Sequence, residues 1–397
     1  MLKKLCLFLK SWRGFWRFDR AFDKERRVTF YSEGADYAGF LRPIVNELIE
    51  NHAQPVSFVT SDPEDPFLKL EHPCLRSYFV GYGSARIFFF LTLRTNVLAL
   101  TMTDLEKLHI RRSRYPVQYA YIFHSMVSTH MIYTKGAFDN YDSILCVGPH
   151  QIKEIRAWEE LNALGPKKLF DHGYGPLDYL LEAGETENRE EFDDLVTVLI
   201  APSWSAEGLL ETGAETLVEI LLTAGFRVVI RPHPRTKERT PHVVAALADK
   251  FREHPYCSMD FDTSGFGSFH AADVMISDWS GAALEFALGL GKPVLFLDVP
   301  RKINNPDYEL LHHEPVEVTL RTQLGDVLDL QHLDEAPTRI RTLCAQPERR
   351  KNNHAICEKY IFNIGRSAMR GAEILLELAD QDELAQTLDP DTNNALD

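Results

Sequence analysis

The sequence predicts an α/β protein with two facing, doubly wound, Rossmann-like domains that enclose a cleft, preceded by an N-terminal amphipathic helix. Three observations predict this fold. Short runs of β-branched and apolar residues alternate with helix-length segments, a pattern typical of parallel sheets covered by helices on both faces. The chain has 397 residues, more than one hydrophobic core usually supports. An acid-rich segment at residues 181–195 separates two series of such runs.

Composition and charge argue against several classes of protein. The chain is 45% hydrophobic and 25% charged, as in ordinary globular proteins. Its net charge of −15 argues against a general nucleic-acid binder. The six cysteines form no CxxC pair and no zinc-site spacing, so reduced thiols are predicted. No apolar run is long enough to span a membrane and no signal-peptide pattern is present, so a cytoplasmic location is predicted.

Residues 1–26 predict a basic amphipathic helix that lies on a membrane surface. Residues 1–27 contain nine Lys or Arg and three acids, which gives this segment a charge of +6 against −21 for the remainder. Such a helix is attracted to anionic lipid while its aromatic rings enter the headgroup boundary. The alternative is a helix packed on the protein's own core. The predicted apolar arc comprises Leu5, Phe8, Leu9, Trp12, Phe15, Trp16 and Phe22. The residues predicted to bind the membrane are Lys3, Lys10, Arg13, Arg17, Trp12 and Trp16.

The strand-like runs place the two domains along the chain. The first domain is predicted over residues 27–180, with strands at 27–32, 55–60, 96–102, 117–123 and 143–147 and a helix at 38–50. An acidic linker is predicted over 181–195. The second domain is predicted over 196–345, with strands at 197–201, 227–230, 274–277 and 293–298 and helices at 214–223 and 281–290. Residues 346–384 are predicted to be helices that could pack back on the first domain, and residues 385–397 a frayed tail.

A cluster of cations begins where one strand of the second domain ends. Arg231-Pro232-His233-Pro234 follows the run 227–230, and Arg235, Lys237 and Arg239 come next. The prolines restrict the backbone around an imidazole and a guanidinium, and arginine suits bidentate contact with phosphate oxygens. Since ligands of open α/β sheets bind beyond the carboxyl ends of strands, a phosphate site is predicted here. A solvated basic loop is the alternative.

Small polar residues follow the next buried strand and begin a helix. The segment runs Ser277-Asp278-Trp279-Ser280-Gly281 and continues to Glu285. Free backbone N–H groups at a helix N-terminus, together with the helix dipole, attract phosphate. Ser277 and Ser280 could add hydroxyl donors, and Glu285 could accept the hydroxyls of a ribose. The alternative is that Asp278 or Ser280 only caps the helix.

An imidazole ends a strand of the first domain. His124 follows the run 117–123, and a second imidazole lies at His130. From a strand end His124 could cross the cleft and act as a general base on a hydroxyl. A histidine bonded to nearby backbone is the alternative reading.

Taken together, these motifs resemble the CDP-glycerol glycerophosphotransferases, transferases of teichoic-acid synthesis with the GT-B fold, over residues 117–300. Gly281 stands where the family has a second serine, and Gly175-Pro176-Leu177-Asp178 is similar to the family's Gly-x-Pro-Arg-x-Asp turn without its Arg. Phe123-His124-Ser125-Met126 stands where the family has Trp-His-Gly-Thr. The other matching segments are Ala201-Pro202-Ser203-Trp204, similar to Ala-Pro-Thr-Trp, with Arg231-Pro232-His233-Pro234, Asp262-Thr263-Ser264 and Ser277-Asp278-Trp279-Ser280-Gly281.

The resemblance implies a GT-B-like arrangement with an acceptor-side first domain and a donor-binding second domain. It implies transfer of a polyol phosphate, glycerol phosphate first, from a CDP-activated donor to a hydroxyl of a lipid-linked or polymer acceptor in cell-surface polymer synthesis. CMP is released, and no metal or other cofactor is expected to be required. The protein is expected on the inner face of the cell membrane. His124 and His233 are the implied catalytic residues. The implied residues for the donor phosphate and nucleotide are Arg231, Ser277, Asp278, Ser280, Gly281, Glu285, Ser203 and Trp204.

Two other classes of function fit the same motifs. A GT-B glycosyltransferase or a nucleotide-sugar epimerase would also use helix-end amides and a ribose-binding Glu285, but would attack carbon and release UDP or a similar nucleotide. A non-catalytic membrane adaptor would keep the fold and the basic helix, and the altered element around His124 favours it. Bound and released nucleotides distinguish the three.

Overall fold

Two parallel sheets form the framework of the protein in a computed structural model, which describes residues 2–103, 105–107, 109–186, 195–262, 265–346 and 348–388. The first sheet consists of β1 (Val28–Ser32), β2 (Val56–Thr60), β3 (Leu75–Phe79), β4 (Val97–Leu100), β5 (Gln118–Ile122), β6 (Ser143–Cys146) and β7 (Lys168–Asp171). Their order is β3-β2-β1-β4-β5-β6-β7.

The second sheet is also parallel. It consists of β8 (Thr197–Ile200), β9 (Arg227–Ile230), β10 (Cys257–Met259), β11 (Val274–Ser277), β12 (Val294–Leu297) and β13 (Gly325–Leu328), in the order β10-β9-β8-β11-β12-β13. The central strands of both sheets are buried along their length, which explains their continuous apolar runs. The predicted class of fold, two doubly wound domains with an N-terminal helix, is confirmed.

Helices cover both faces of each sheet. Those of the first half are α1 (Leu2–Asp19), α2 (Asp23–Arg26), α3 (Ala35–Glu50), α4 (Ser84–Thr92), α5 (Pro149–Leu161) and α6 (Gly175–Thr186). Those of the second half are α7 (Leu209–Thr212), α8 (Ala214–Thr223), α9 (Pro234–Arg239), α10 (Pro241–Phe251), α11 (Gly267–Ala271), α12 (Gly281–Leu290), α13 (Val316–Leu324) and α14 (Ala336–Cys344). The last two are α15 (Arg349–Tyr360) and α16 (Ser367–Leu388), and short 3₁₀ turns lie at Pro66–Leu68, Tyr308–Leu311 and Leu330–Glu335.

Several predicted boundaries differ from the structure. The predicted strands extend one or two residues beyond most of the observed ones, because the flanking residues form no ladder pairs. The edge strands β3, β7, β10 and β13 were not predicted, since they are short and less buried. The strand β13 lies beyond the last strand predicted from the sequence, at 293–298. Helix α6 continues to Thr186, so the start of the predicted acidic linker is helical. Residues 187–194 and 389–397, in the predicted linker and tail, lie outside the described residues.

Helix α16 packs against the first domain, far from its neighbours in sequence. Its residues Ile374, Leu375 and Leu378 are fully buried and belong to the same core as α3. The Asp178 carboxylate accepts hydrogen bonds from the N–H groups of Gly365 and Ser367, at 2.7 and 2.9 Å, where α16 begins. The first domain is therefore completed by the last helix of the described residues.

Helix α1 is partly a core helix, and this corrects one predicted detail. Phe15 and Phe18 are buried against the first domain, where the Phe18 ring meets Tyr78 and Phe89 edge-on. Gly14 permits this approach, because a Cβ there would overlap the carbonyl oxygen of Phe79 in β3. Phe15, predicted on the membrane-facing arc, is therefore unavailable to a membrane. The packing alternative holds for this face of the helix.

Another face of α1 remains exposed. Leu5, Phe8, Leu9 and Trp16 are each about half exposed, and Phe22 is 72% exposed. Helix α1 thus uses one face to dock on the core and leaves a second apolar face in water. In the described residues no helix is both long and apolar enough to cross a membrane.

Candidate active site

The candidate site lies where strand ends from both sheets meet. Each sheet reverses its strand order next to its first strand, between β1 and β4 and between β8 and β11. Open α/β sheets bind ligands beyond the carboxyl ends of strands at such a reversal. The loops after β5, β8, β9 and β11 hold the residues that the sequence singled out. Each loop is placed by a buried strand.

His124 is held among aromatic rings at the end of β5. Its ring contacts those of Tyr37, Phe40 and Tyr133 at centroid distances of 5.6, 6.0 and 5.7 Å. The Tyr121 hydroxyl lies 3.4 Å from Nδ1. Burial, together with the positive charges of Arg235 and Lys302 in the other domain, lowers the pKa of His124 to about 4. At neutral pH the imidazole is therefore uncharged and able to accept a proton.

His233 lies opposite, at the start of α9. Its Nδ1 accepts a hydrogen bond from the Arg235 N–H at 3.1 Å, so the proton of the neutral ring is on Nε2. Burial lowers its pKa to about 3, with added effects of Lys302, Arg235 and His124. The sequence suggested a cation at this position. The structure instead makes His233 a neutral hydrogen-bond donor through Nε2, because the ring is buried and the charges of Lys302, Arg235 and Lys237 lie nearby.

Arg231 forms hydrogen bonds within the second domain. Its Nη1 donates to Asp260 Oδ2 at 3.1 Å, to the Gly265 carbonyl at 2.9 Å and to Ser268 Oγ at 3.0 Å. These contacts hold the loop after β10 against the strand end. Nη1 of Arg231 is therefore already hydrogen-bonded within the protein. Thr263 and Ser264, which carry part of the family resemblance in this loop, lie outside the described residues.

Lys302 and Arg235 supply the positive charge of the cleft. Lys302 follows β12, and burial, with Arg235 and Arg239 nearby, lowers its pKa to about 8. Two groups of the first domain feel the charge of the exposed Arg235. Burial raises the pKa of Tyr37 and Arg235 opposes that rise, whereas Arg235 adds to the lowering of the pKa of His124. Sequence analysis missed Lys302. Its position after the carboxyl end of a buried strand was the one available signal.

Trp204 forms a flat surface among these cations. Lys302 Nζ lies 4.2 Å and Arg239 Cζ 4.3 Å from the centre of the Trp204 ring, and Arg235 lies 5.8 Å away. Cations near an indole face are stabilised by the ring quadrupole. The Trp204 ring therefore holds Lys302 and Arg239 in place. This role differs from the predicted contact with the donor.

Three residues predicted to contact the donor are structural instead. Ser277 is fully buried, and its hydroxyl donates to the Ala201 carbonyl at 2.7 Å. Asp278 is 1% exposed and accepts the Ser203 N–H at 2.7 Å. Ser203 is itself buried. The predictions of a hydroxyl donor at Ser277 and of donor contacts at Asp278 and Ser203 are wrong, because these groups hold the loop after β8 against the loop after β11.

The N-terminus of α12 faces the first domain. Ser280 is the N-cap, and its hydroxyl accepts the Ala282 N–H at 3.3 Å, as the capping alternative proposed. A side chain at Gly281 would overlap the Ser125 hydroxyl, which lies directly against this position. The two departures from the family pattern, Ser125 for glycine and Gly281 for serine, are therefore neighbours in space. One hydroxyl is kept at this helix end, but it comes from the opposite domain.

Glu285 is linked to the His124 loop through Tyr174. The Tyr174 hydroxyl donates to Glu285 Oε1 at 2.6 Å and lies 3.2 Å from the His124 carbonyl oxygen. Burial raises the pKa of Glu285 from 4.5 to about 7, against the opposing effects of Tyr174 and Arg231. Tyr174 was missed by sequence analysis, because nothing in its local pattern marks a contact across the cleft.

Glu285 should make stability fall with rising pH. A carboxyl with a raised folded-state pKa stabilises fully below its unfolded pKa near 4.5, and this contribution is lost as pH rises through about 7. Between pH 4.5 and 7.5, wild type should lose about 1 to 3 kcal/mol of unfolding free energy relative to Glu285→Gln. Urea unfolding at several pH values measures this, with Glu253→Gln as the exposed control. A constant difference between wild type and Glu285→Gln would contradict it.

The loop that carries His124 is fastened from both domains. Ser128 donates its N–H and hydroxyl to Glu317 of α13, at 2.9 and 2.6 Å. Thr129 donates in the same way to Glu154 of α5, at 2.6 and 2.7 Å. His130 Nε2 lies 2.9 Å from the His313 carbonyl oxygen. His130 therefore fastens the loop and lies away from the cleft.

Two parallel-sheet domains with functional loops meeting at their strand ends define the GT-B class of fold. Two solved structures of the wall teichoic acid polymerase TagF share it, each at 12% identity over 96% of both chains, with TM-scores of 0.60 and 0.57, the second soaked with CDPG. A UDP-GlcNAc 2-epimerase from Methanocaldococcus jannaschii also matches, at 13% identity over 88% of this chain and 99% of that chain, with a TM-score of 0.55. No protein-family model and no curated protein sequence matches the chain.

Proposed function

We propose that this protein transfers a polyol phosphate, glycerol phosphate first, from a CDP-activated donor to a hydroxyl of a membrane-associated acceptor and releases CMP. The observation that carries the proposal is the convergence of uncharged His124 with Arg235, His233 and Lys302 across the cleft. A neutral base that faces a cluster of cations suits attack at phosphorus better than a structural role. The shared fold with a polymerase soaked with CDPG supports the donor class.

The reaction assigns one step to each group. His124 removes the proton of the acceptor hydroxyl as its oxygen forms a bond to the phosphorus that carries the polyol. The bond from that phosphorus to the bridging oxygen breaks, and the electron pair leaves with CMP. A bound diphosphate would partly offset the charges of Arg235 and Lys302, so the pKa of His124 would rise and its basicity would increase.

Fixed charges stabilise the transition state in this scheme. The Nε2–H of His233, the Lys302 ammonium and the Arg235 guanidinium face the non-bridging oxygens. The N-terminus of α12 and the Ser125 hydroxyl face the leaving phosphate. Preorganised donors of this kind are commonly the largest contribution to catalysis. The proposal assigns no metal. Among the described residues, no three or more His, Cys, Asp or Glu side chains are grouped as metal ligands.

The proposal also places the protein on the inner face of the cell membrane, where a lipid-linked or polymer acceptor of a cell-surface polymer would grow. The exposed aromatic side chains of α1 and its cations support this location. Helices with such a face bind anionic interfaces without spanning them.

Nucleotide release tests the function. Purified protein is incubated with CDP-glycerol, CDP-ribitol or UDP-sugars beside vesicles and a membrane extract, and free nucleotides are quantified. CMP release that depends on the membrane extract is the expected result, and His233→Gln should reduce it. UDP release would move the assignment to glycosyl transfer or epimerisation. No turnover and no nucleotide binding would favour the non-catalytic adaptor.

A further inference from the structure

A groove lies on the first domain, away from the cleft residues, between α1, α2 and β3. It has a volume of about 770 Å³ and opens widely to solvent. Arg13, Arg17 and Arg20 line it together with Trp12, Trp16 and Tyr78. None of these six residues belongs to the candidate active site. The groove therefore needs an explanation of its own.

Arg13 and Arg17 of α1, and Arg20 just after the helix, form no ion pair within the described residues. Within the described residues no carboxylate lies within ion-pair distance of Arg13, Arg17 or Arg20, whereas Arg26 pairs with Asp23 at 2.6 Å and Arg76 with Glu25 at 3.4 Å. Arg17 instead lies 5.6 Å from the Tyr78 ring centre. Three exposed guanidinium groups one helical turn apart make a row of donors suited to phosphate oxygens.

Apolar side chains beside these arginines are also exposed. Trp16 is 49% and Phe22 72% exposed. The Trp12 ring meets Phe88 of α4 at 5.4 Å, and Phe88 is itself 48% exposed, so the aromatic surface continues onto a second helix. Exposed aromatic rings bordered by cations are typical of surfaces that enter the headgroup region of a bilayer.

We propose that this groove is a binding site for the headgroup phosphate of an anionic phospholipid. The row formed by Arg13, Arg17 and Arg20 contacts the phosphate, and Trp16, Phe22 and Phe88 lie at the acyl boundary. A soluble phosphate would use the arginines but leave the aromatic surface in water. The buried Phe15 and the close packing at Gly14 hold α1 in place, so the row is preformed. This inference rests on the proposed membrane location and is independent of the transfer reaction.

Vesicle cosedimentation of the full chain tests the groove. Phosphatidylcholine vesicles with and without phosphatidylglycerol are compared for wild type, for Arg13→Gln/Arg17→Gln/Arg20→Gln, and for Lys3→Gln/Lys4→Gln/Lys10→Gln. The lysine variant removes the same charge from the same helix outside the groove. The arginine variant should lose about tenfold more affinity for phosphatidylglycerol vesicles than the lysine variant, because ammonium groups outside the groove add only diffuse attraction.

Equal losses in the two variants would overturn the site and leave diffuse attraction as the cause of binding. Inorganic phosphate should not displace wild type from vesicles, and displacement would overturn the assignment to lipid. Circular dichroism and affinity for CDP, compared with wild type, verify that the arginine variant is folded. If wild type binds these vesicles through the groove but releases no CMP, the proposed transfer reaction would be contradicted and this inference would stand.

Discussion

Replacing His124 by alanine should slow CMP release by about 10² to 10⁴-fold while changing the affinity for CDP by no more than a few fold. The imidazole is uncharged at neutral pH and lies near the charges of Arg235 and Lys302, and its removal leaves the α12 N-terminus in place. Single-turnover rates with CDP-glycerol and titration with CDP separate the two effects. His109→Ala, an exposed histidine of the same domain, serves as the control.

The pH profile provides a second readout for His124. Since burial holds its pKa near 4 in the empty site, kcat/KM should fall only below about pH 5, well below the range of an ordinary imidazole. A variant that keeps full activity, or that loses CDP binding in proportion to its rate, would show that His124 does not act as the base.

Moving the hydroxyl group from position 125 to position 281 should show that these two positions share the space for one hydroxyl. Gly281→Ser alone should weaken CDP binding by about ten- to hundredfold, because the new side chain meets the Ser125 hydroxyl and overpacking typically costs about 1 to 3 kcal/mol. Ser125→Gly/Gly281→Ser should recover most of the loss, since it moves the hydroxyl to the position that the family uses. Calorimetric titration with CDP measures all three proteins.

Gly267→Ser is the matched control for this exchange. Gly267 also begins a helix, but a side chain there meets no other group within 4 Å. Its affinity for CDP should equal that of wild type. If the double variant binds no better than Gly281→Ser, the two positions do not share one hydroxyl and their closeness has no bearing on the donor.

The sequence located most of the cleft but not the division of tasks within it. His124, His233 and the start of α12 were found because each follows a buried apolar run, and parallel strands bring their carboxyl ends to one edge. Lys302 was missed because it lies several residues beyond the end of β12. Tyr174 and the role of Ser125 were missed because their contacts depend on how the two domains face each other. Local patterns do not encode that relation.

The type of a residue also did not predict whether its side chain is buried. Ser277 and Asp278 looked like donor ligands, but both lie beneath the loop that they fasten. On α1, the helical period identified the apolar side chains without showing that the protein itself covers Phe15. The same amphipathic pattern suits a core and a membrane, and α1 buries some of its apolar side chains and leaves others exposed.

The position of α16 sets an order on folding during synthesis. The ribosome completes the strands of the first domain early, yet Ile374, Leu375 and Leu378, which fill its core, are made only after the whole second domain has been synthesised. The second domain lies within residues 195–346, which the structure describes except for 263 and 264. All of its core residues have been synthesised before α16 leaves the exit tunnel. The later half of the chain can therefore finish first, while the earlier half waits with apolar surface against α3 uncovered and open to chaperones.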